Sequence, residues 1–200
     1  MITIGVELNH VVRNINKQIL KYYDKEFNKG LDLDEIDDKD DVFKVVKFDS
    51  KIQKYNFFFI DYPFEIYGSA ETAEKWLAVK LTNWLRDISD IEDEDIRIVF
   101  YSLNEDALTV QSTYFFLSKI ATRVRMMLFP MDIKEVWDVC DVAITANKEM
   151  LEDVPQGKKV ILINRPFNEE VKDKAFMNYD NLSEVIEDTN FFKKLKDEER

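Results

Sequence analysis

Cysteine, glycine and proline are all scarce in this sequence, and each shortage excludes a class of structure. The 200 residues include one cysteine, four glycines and four prolines. A single cysteine, Cys140, excludes an internal disulfide and a metal cluster built on several thiolates, and its apolar neighbours favour a buried, unreactive thiol. The few glycines and prolines argue against long linkers. A chain of this length, 46% hydrophobic, is enough for one domain with a modest insertion.

Long apolar runs and a basic leader are also missing. No apolar stretch approaches the roughly 18 residues that a membrane-spanning helix requires. The chain starts with a strand pattern, without the basic region that opens a signal peptide. We therefore expect a cytoplasmic protein that does not cross or bind a membrane.

Positive charge is in deficit, because 28 lysines and arginines face 40 aspartates and glutamates, which gives a formal net charge of −12. Nucleic acids and anionic membranes both bind through clustered cations, so this balance argues against either partner. The acidic run at 32–41 is interpreted as a solvated loop. Calcium is the alternative ligand for this run, but the spacing of an EF-hand loop is absent.

The first residues form the pattern around which the rest of the chain is organised. Residues 2–6 read as a short buried strand, and the polar residues Glu7, Asn9 and His10 follow immediately, ahead of a helical pattern at 11–27. In an open α/β sheet, side chains at the carboxyl end of the first strand face the ligand crevice. This pattern predicts a crest of functional groups at the end of strand one.

Strands and helices alternate regularly after residue 95, which predicts a parallel sheet covered on both faces. The predicted strands are 96–102, 124–130, 141–147 and 158–168, and the predicted helices are 109–123, 133–140, 148–154 and 180–197. Earlier in the chain we predict a loop at 28–41, strand-like runs at 42–48 and 57–60, and a helix at 70–88. Four of the strands should be central neighbours: Ile2–Val6, Arg97–Tyr101, Val142–Thr145 and Val160–Ile163. We expect Glu7, Ser102 and Thr145 to meet at their carboxyl ends.

Several of these stretches resemble motifs of the haloacid dehalogenase (HAD)-like superfamily of phosphohydrolases. Its first motif is a strand followed by D-x-D-x-T/V, where this sequence reads E-L-N-H-V. The strand IVFYS, which ends in Ser102, resembles the second motif. CDVAITANKEML and VILINRPFNEEV resemble D-V-L-I-D-D-R-P and Q-P-Y-N-R, patterns of the cytosolic 5'(3')-deoxyribonucleotidase branch. The resemblance implies a Rossmannoid α/β core at 1–27 and 96–200 and a small cap inserted at 28–95.

The resemblance also implies where catalytic groups would stand, and most of them are replaced here. In the family the first Asp attacks phosphorus, the second protonates the leaving group, and Mg²⁺ is held by the first Asp and the acidic fourth motif. Those positions are Glu7, Asn9, and the pair Thr145 and Ala146. Ser102 matches the second motif, and Lys119 is either the third-motif lysine or an ordinary surface lysine of its helix.

These replacements lead us to expect a degenerate active site. Misplacing a reacting carboxylate by about 1 Å can cost about 10²-fold, and losing a general acid typically costs about 10²–10⁴-fold. A lone Glu7 should not hold Mg²⁺ tightly. No cofactor is therefore expected, with Mg²⁺ needed only if the protein is an enzyme.

Other roles for the same residues stay open. His10 could act as a base in a new site with Glu7 and Asn9, although a packing histidine is the plainer interpretation. Arg13 and Arg165 could bind a phosphate together with Ser102, or form salt bridges. A metal site of Glu7, His10 and Asp141 is disfavoured because Asp141 should lie at the far end of its strand.

The leading functional hypothesis is a catalytically inactive HAD-like protein that acts as a structural or interaction component. Aromatic clusters at 55–67 and 114–116 favour a protein partner wherever their rings are exposed. Small acidic chains of this kind resemble those of tailed phages, so a virion is one candidate setting. The alternatives are a Mg²⁺-dependent 5'(3')-deoxyribonucleotidase or related phosphohydrolase, and a nucleotide-binding sensor.

Overall fold

The fold was analysed in a computed structural model that describes residues 1–31, 42–90, 96–120 and 124–197. The acidic run at 32–41, for which a solvated loop is predicted, lies outside the described residues. Among those described, no helix is both long enough and apolar enough to cross a bilayer.

A six-stranded parallel sheet forms the centre of the molecule, with strand order β5-β4-β1-β6-β7-β8. The strands are β1 (Ile2–Glu7), β4 (Ile96–Tyr101), β5 (Met127–Leu128), β6 (Val142–Thr145), β7 (Lys159–Ile163) and β8 (Met177–Tyr179). The four strands predicted to be central neighbours are adjacent, so the α/β fold prediction is confirmed. Continuous burial explains their position, since a central parallel strand is covered on both faces. The edge strand β8 was not predicted, because three residues are too few to show a strand pattern.

Helices cover both faces of the sheet, with a larger apolar core on one side than on the other. The helices are α1 (Asn16–Phe27), α2 (Val42–Val45), α3 (Lys51–Asn56), α4 (Leu77–Asp90), α5 (Ala107–Ile120), α6 (Ile133–Val139), α7 (Leu182–Glu187) and α8 (Phe191–Asp197). The larger core joins the sheet to α1, α4, α5, α7 and α8, and the buried residues of the region 42–70 belong to the same core. The smaller core packs α6 against the other face.

The predicted strand-like runs at 42–48 and 57–60 are wrong. The first contains α2, and the second lies in a π-helical segment, Phe57–Asp61. Short apolar runs do not distinguish strands from buried helical turns. Here tertiary contacts select the conformation of both runs. In the first run, the Tyr23 hydroxyl donates to the Lys47 carbonyl at 2.6 Å and accepts from the Lys47 amide at 3.1 Å. The Phe57 ring packs on Tyr23 and Phe48, at centroid distances of 6.2 and 5.3 Å.

Several helix boundaries also differ from the prediction. The first helix begins at Asn16, because a tight turn in which Val12 and Arg13 donate to the Leu8 carbonyl precedes it. This turn leads into the two-residue strand β2 (Arg13–Asn14), which pairs with β3 (Glu71–Thr72). The helix predicted at 70–88 begins at Leu77. The closing helix predicted at 180–197 is divided into α7 and α8.

Candidate functional site

The carboxyl ends of β1, β4 and β6 meet at one edge of the sheet and form the crest. Glu7 pairs in register with Tyr101, the residue before Ser102, and the neighbouring Val6 pairs with Ile144, the residue before Thr145. Glu7, Ser102 and Thr145 therefore share this edge, as predicted.

The Thr145 hydroxyl donates directly to Glu7 Oε2, and the Ala146 amide donates to the same oxygen at 3.1 Å.

Glu7 is a buried carboxyl group with an altered pKa. Glu7 is only 5% exposed, and this burial raises the pKa of Glu7 to about 7. Hydrogen bonds from Thr145 and from the Ala146 amide, and the positive charge of Arg13, oppose the increase in pKa only in part. Glu7 therefore changes between its neutral and charged forms close to neutral pH.

Arg13 lies behind the crest, completely buried, and forms the centre of a polar network. Its Nη2 pairs with Glu105 Oε1 at 2.5 Å. Its Nη1 donates to Thr113 Oγ1 at 2.8 Å and to the Tyr67 carbonyl at 3.2 Å. The guanidinium also lies over the rings of Tyr67 and Phe116, at 5.1 and 5.5 Å from their centroids. A buried charge needs such compensation, and here it comes from three segments: the loop after β4, residues 64–68 and α5.

The same network engages Asn9 and Ser102. Arg13 Nε donates to Asn9 Oδ1 at 2.9 Å, and Arg13 Nη2 donates to Ser102 Oγ at 3.3 Å. The Ser102 hydroxyl in turn donates to Glu105 Oε1 at 2.6 Å. Ser102 is completely buried, so its hydroxyl forms hydrogen bonds with other groups of the protein.

Arg165 is the other cation that sequence reasoning proposed for phosphate. Its guanidinium donates to the main-chain carbonyls of His10, Asn164 and Asp180, at 2.6, 2.8 and 2.8 Å. Burial lowers the pKa of Arg165. The bond to His10 supports a residue in the left-handed region, with φ of 65°. Arg165 thus fixes the turn after strand β1 through backbone contacts.

Lys119 and Asp141 are not brought to the crest. The Lys119 ammonium lies 5.2 Å from the centroid of the Phe115 ring, in the last turn of α5. Asp141 accepts from the Thr3 amide at 2.8 Å and from Lys158 at 2.9 Å. Thr3 lies at the opposite end of β1 from Glu7, about 13 Å away along an extended strand. A metal site that contains both Glu7 and Asp141 is therefore excluded by geometry.

A cavity of about 540 Å³ opens above the crest, between the sheet edge and the region 42–68. Its polar lining includes Glu7, Asn9 and His10, and the His10 ring meets Phe167 edge to face at 5.4 Å. Its apolar lining is Ile15, Ile19, Val42, Phe58, Phe59, Leu103, Ala146 and Phe167. A volume of this size suits a small molecule.

The donor set does not fit Mg²⁺. Within the part of the chain that the structure describes, no three histidine, cysteine or carboxylate side chains are grouped as metal ligands would be. Glu7 Oε2 already accepts from Thr145 and Ala146, and Glu105 is paired with Arg13. Mg²⁺ retains its water unless carboxylates replace it, and among the described residues that line the cavity the carboxylates are Glu7 and Glu149.

Sequence reasoning missed Glu105, although it completes the network. Its partner Arg13 lies 92 residues earlier in the chain, so no local pattern connects the two. The one available signal was its position three residues after Ser102, at the end of a predicted central strand.

Comparison with known proteins supports the fold and nothing finer. No protein-family model and no curated protein matches the sequence. A crystal structure from Burkholderia xenovorans, described as a haloacid dehalogenase-like hydrolase, is similar to this chain with a TM-score of 0.51. The match covers 96% of this chain and 98% of that one, at 10% sequence identity. The protein thus has an α/β fold similar to that of this structure.

Proposed function

We propose that this chain is a non-catalytic protein with a HAD-like fold, which acts as a structural or interaction component. The observation that carries the proposal is the Arg13 network. Arg13 is completely buried, pairs with Glu105 and donates to Asn9 and Ser102. The side chains that resemble phosphate-binding and acid positions therefore satisfy one another.

The chemistry of phosphoryl transfer also fits poorly with the remaining groups. An attacking carboxylate must be ionised, whereas Glu7, with a pKa of about 7, is only partly ionised at neutral pH, and its Oε2 accepts hydrogen bonds from Thr145 and Ala146. Asn9 has no acidic proton for a leaving group. Charge that develops on phosphorus would need fixed cations or a metal. Arg13 and Arg165 are engaged by internal partners, and of the two lysines that line the cavity, Lys54 and Lys148, the second pairs with Glu170 at 2.8 Å.

An interaction role is supported by rings that remain exposed. Tyr55, Phe64, Tyr114 and Phe115 are each between 44 and 52% exposed. We propose a protein partner in a larger assembly, of which a phage virion is one example, and no nucleic-acid or membrane partner. The region 28–95 is proposed as the cap of the fold.

A second candidate is a sensor that binds a nucleotide without turnover, and the cavity above the crest is the observation in its favour. Ligand binding to the folded state raises the midpoint of thermal unfolding. A deoxynucleoside monophosphate that raises this midpoint in the wild type, but not in a variant with a filled cavity such as Ala146→Phe, would support the sensor. Ala146→Phe must itself unfold cooperatively for the comparison to count.

The test of the main proposal is phosphate release from deoxynucleoside monophosphates with millimolar Mg²⁺. The wild type and Glu7→Gln should both be inactive. Turnover at an ordinary enzyme rate of about 1 s⁻¹ or more, abolished by Glu7→Gln, would establish the phosphohydrolase instead. Glu7→Gln is the matched control because it keeps the size of the side chain and its hydrogen-bond acceptor.

A further inference from the structure

Helix α5 exposes large apolar side chains on its outer face, next to the exposed polar residues Gln111, Ser118 and Lys119. Its 14 residues include a single charged side chain, Lys119. On the outer face, Leu108, Tyr114 and Phe115 are 54, 52 and 45% exposed. A helix that faces water on one side normally carries its polar residues there, and a helix that is apolar all round is normally covered.

Helix α4 provides the contrast within the same molecule. It has the same length as α5, and it places charged residues such as Arg86 and Asp87 on its exposed side. The two helices therefore differ in how much charge they carry on the exposed side.

The apolar surface extends beyond the helix. The Phe64 ring, itself 46% exposed, lies 4.9 Å from the Phe115 ring, and the Phe129 ring lies 5.6 Å from Tyr114. We call this set the α5 surface: Phe64, Leu108, Tyr114, Phe115 and Phe129. Aromatic enrichment and depletion of charge are the features that distinguish the core of a protein interface from other surface.

Charges of opposite sign stand at the two ends of α5. Asp106 precedes the helix, where its carboxylate accepts from the Leu108 amide and the Tyr55 hydroxyl, each at 2.7 Å. The hydrogen bond from Tyr55 lowers the pKa of Asp106, so this end is negative. Lys119 stands in the last turn. The α5 surface is thus an apolar strip with a negative end and a positive end.

This arrangement is complementary to itself. When two such helices pack antiparallel around a two-fold axis near residues 112–113, each residue faces one at the mirrored position. Asp106 of one copy then faces Lys119 of the other, and the small residues Ala107 and Ser118 face each other where the helix ends approach. Between these ends, the exposed Tyr114 of one copy faces the exposed Gln111 of the other, and the symmetry repeats this contact.

We infer that a second copy of this chain docks on the α5 surface, with the two α5 helices antiparallel. In a symmetric dimer, Asp106 and Lys119 of each copy face Lys119 and Asp106 of the other, so all four charges are paired. An unrelated partner would need its own positive and negative side chains at the same two positions. The chain carries a net charge of −12, so two copies repel each other unless they meet on a face without acidic side chains. The helical part of the α5 surface is such a face. This inference rests on the proposed interaction role and identifies the protein partner as a second copy of the same chain.

Sedimentation equilibrium at physiological ionic strength, over a wide range of protein concentration, tests this inference. The wild type should reach twice the 23.8 kDa mass of one chain. Leu108→Asp should remain monomeric at concentrations where the wild type is dimeric. The added acid lies in the first turn of α5, where the helix dipole favours it, so loss of the dimer would not follow from loss of the helix.

Val79→Asp is the matched control. Val79 is 56% exposed in the first turn of α4, so the substitution makes the same change in charge at an equally exposed aliphatic residue. This variant should dimerise like the wild type. A Leu108→Asp variant that is still dimeric, or a control that is equally monomeric, would overturn the assignment of the α5 surface.

Charge reversal tests the antiparallel orientation. Lys119→Glu should weaken the dimer, because like charges would then face each other twice. Adding Asp106→Asn should restore part of the affinity, because it removes the repulsion and keeps a residue that caps the helix well. Equal affinities for Lys119→Glu with and without Asp106→Asn would contradict the orientation.

The inference and the proposed function fail in different ways. A wild type that stays monomeric at all concentrations would overturn the second copy as partner, and would leave the phosphate-release result untouched. Turnover that depends on Glu7 would overturn the proposed function, whatever the mass in solution.

Discussion

At the scale of single residues, Glu7 should make folding stability depend on pH. Its pKa is about 7 in the folded state against an ordinary value of 4.5. The folded state therefore binds more protons than the unfolded state between these values, so this group lowers stability as the pH rises through that window. Complete ionisation would cost about 3 kcal/mol at 1.36 kcal/mol per pKa unit.

Glu7→Gln should remove this contribution, because an amide does not titrate. We expect the free energy of unfolding of the wild type to fall between pH 4.5 and 7 relative to that of Glu7→Gln. Urea unfolding of both proteins at several pH values measures the difference, since all other titrating groups are shared. Parallel curves would show that Glu7 has an ordinary pKa.

Arg13 and Glu105 should behave as a coupled pair. Removing one member of a buried ion pair leaves an uncompensated charge and typically costs about 3–5 kcal/mol. Arg13→Met should therefore destabilise strongly, and so should Glu105→Leu. The double variant should be more stable than either single variant, because no buried charge remains.

A double-mutant cycle in urea measures this coupling. Additive losses would mean that Arg13 and Glu105 do not interact. The cycle also tests the observation on which the proposed function rests, since an uncoupled Arg13 would be available to a ligand.

At the scale of elements, β1 depends on a glycine at its centre. A Cβ atom on Gly5 would lie 2.7 Å from Cys140 Sγ and 3.2 Å from the Tyr101 ring. The absence of a side chain is what lets α6 and its last residues approach the sheet on this face. The thiol of Cys140, described from the sequence as buried and inert, is completely buried.

Gly5→Ala should destabilise the protein by about 1–3 kcal/mol, the usual cost of overpacking a core. Cys140→Ala in the same chain should recover part of this loss, because it removes the sulfur nearest to the new methyl group. Thermal or urea unfolding of the two single variants and the double variant measures both effects. A double variant whose losses simply add would show that the crowding lies elsewhere, for example at the Tyr101 ring.

At the scale of the whole molecule, introducing the carboxylates of the HAD-like motifs that the sequence resembles should not create an enzyme. Glu7→Asp and Asn9→Asp introduce those of the first motif, and Thr145→Asp and Ala146→Asp introduce those of the fourth. We expect no turnover from the first pair and at most slight activity from all four. Arg13 and Glu105 would still occupy the space behind the crest.

The quadruple variant should also lose stability without Mg²⁺, because four carboxylates would repel each other at a buried edge. Phosphate release with millimolar Mg²⁺ and thermal unfolding with and without the ion measure the two effects. High activity in the quadruple variant would show that the scaffold still positions its substrate.

The order of the main elements followed from the sequence alone, because it depends on local and repeated signals. Apolar strands at 2–6, 96–102, 141–147 and 158–168 alternate with helices, and short connections leave few ways to arrange them. The same argument placed Glu7, Ser102 and Thr145 at one edge, since parallel strands end together. The helix of residues 109–123 was also clear from its composition, apart from its boundaries.

Tertiary structure alone decided the conformation of 42–61 and the partners at the crest. The apolar run at 57–60 fits a strand by composition, yet the rings of Tyr23 and Phe48 surround it in a π-helical segment. From the sequence Arg13 was open to either a phosphate or a salt bridge, and the structure pairs it with a carboxylate 92 residues away. Such contacts depend on which distant side chains the fold brings together and on how far it buries them from water. Local sequence patterns predict neither the proximity nor the burial.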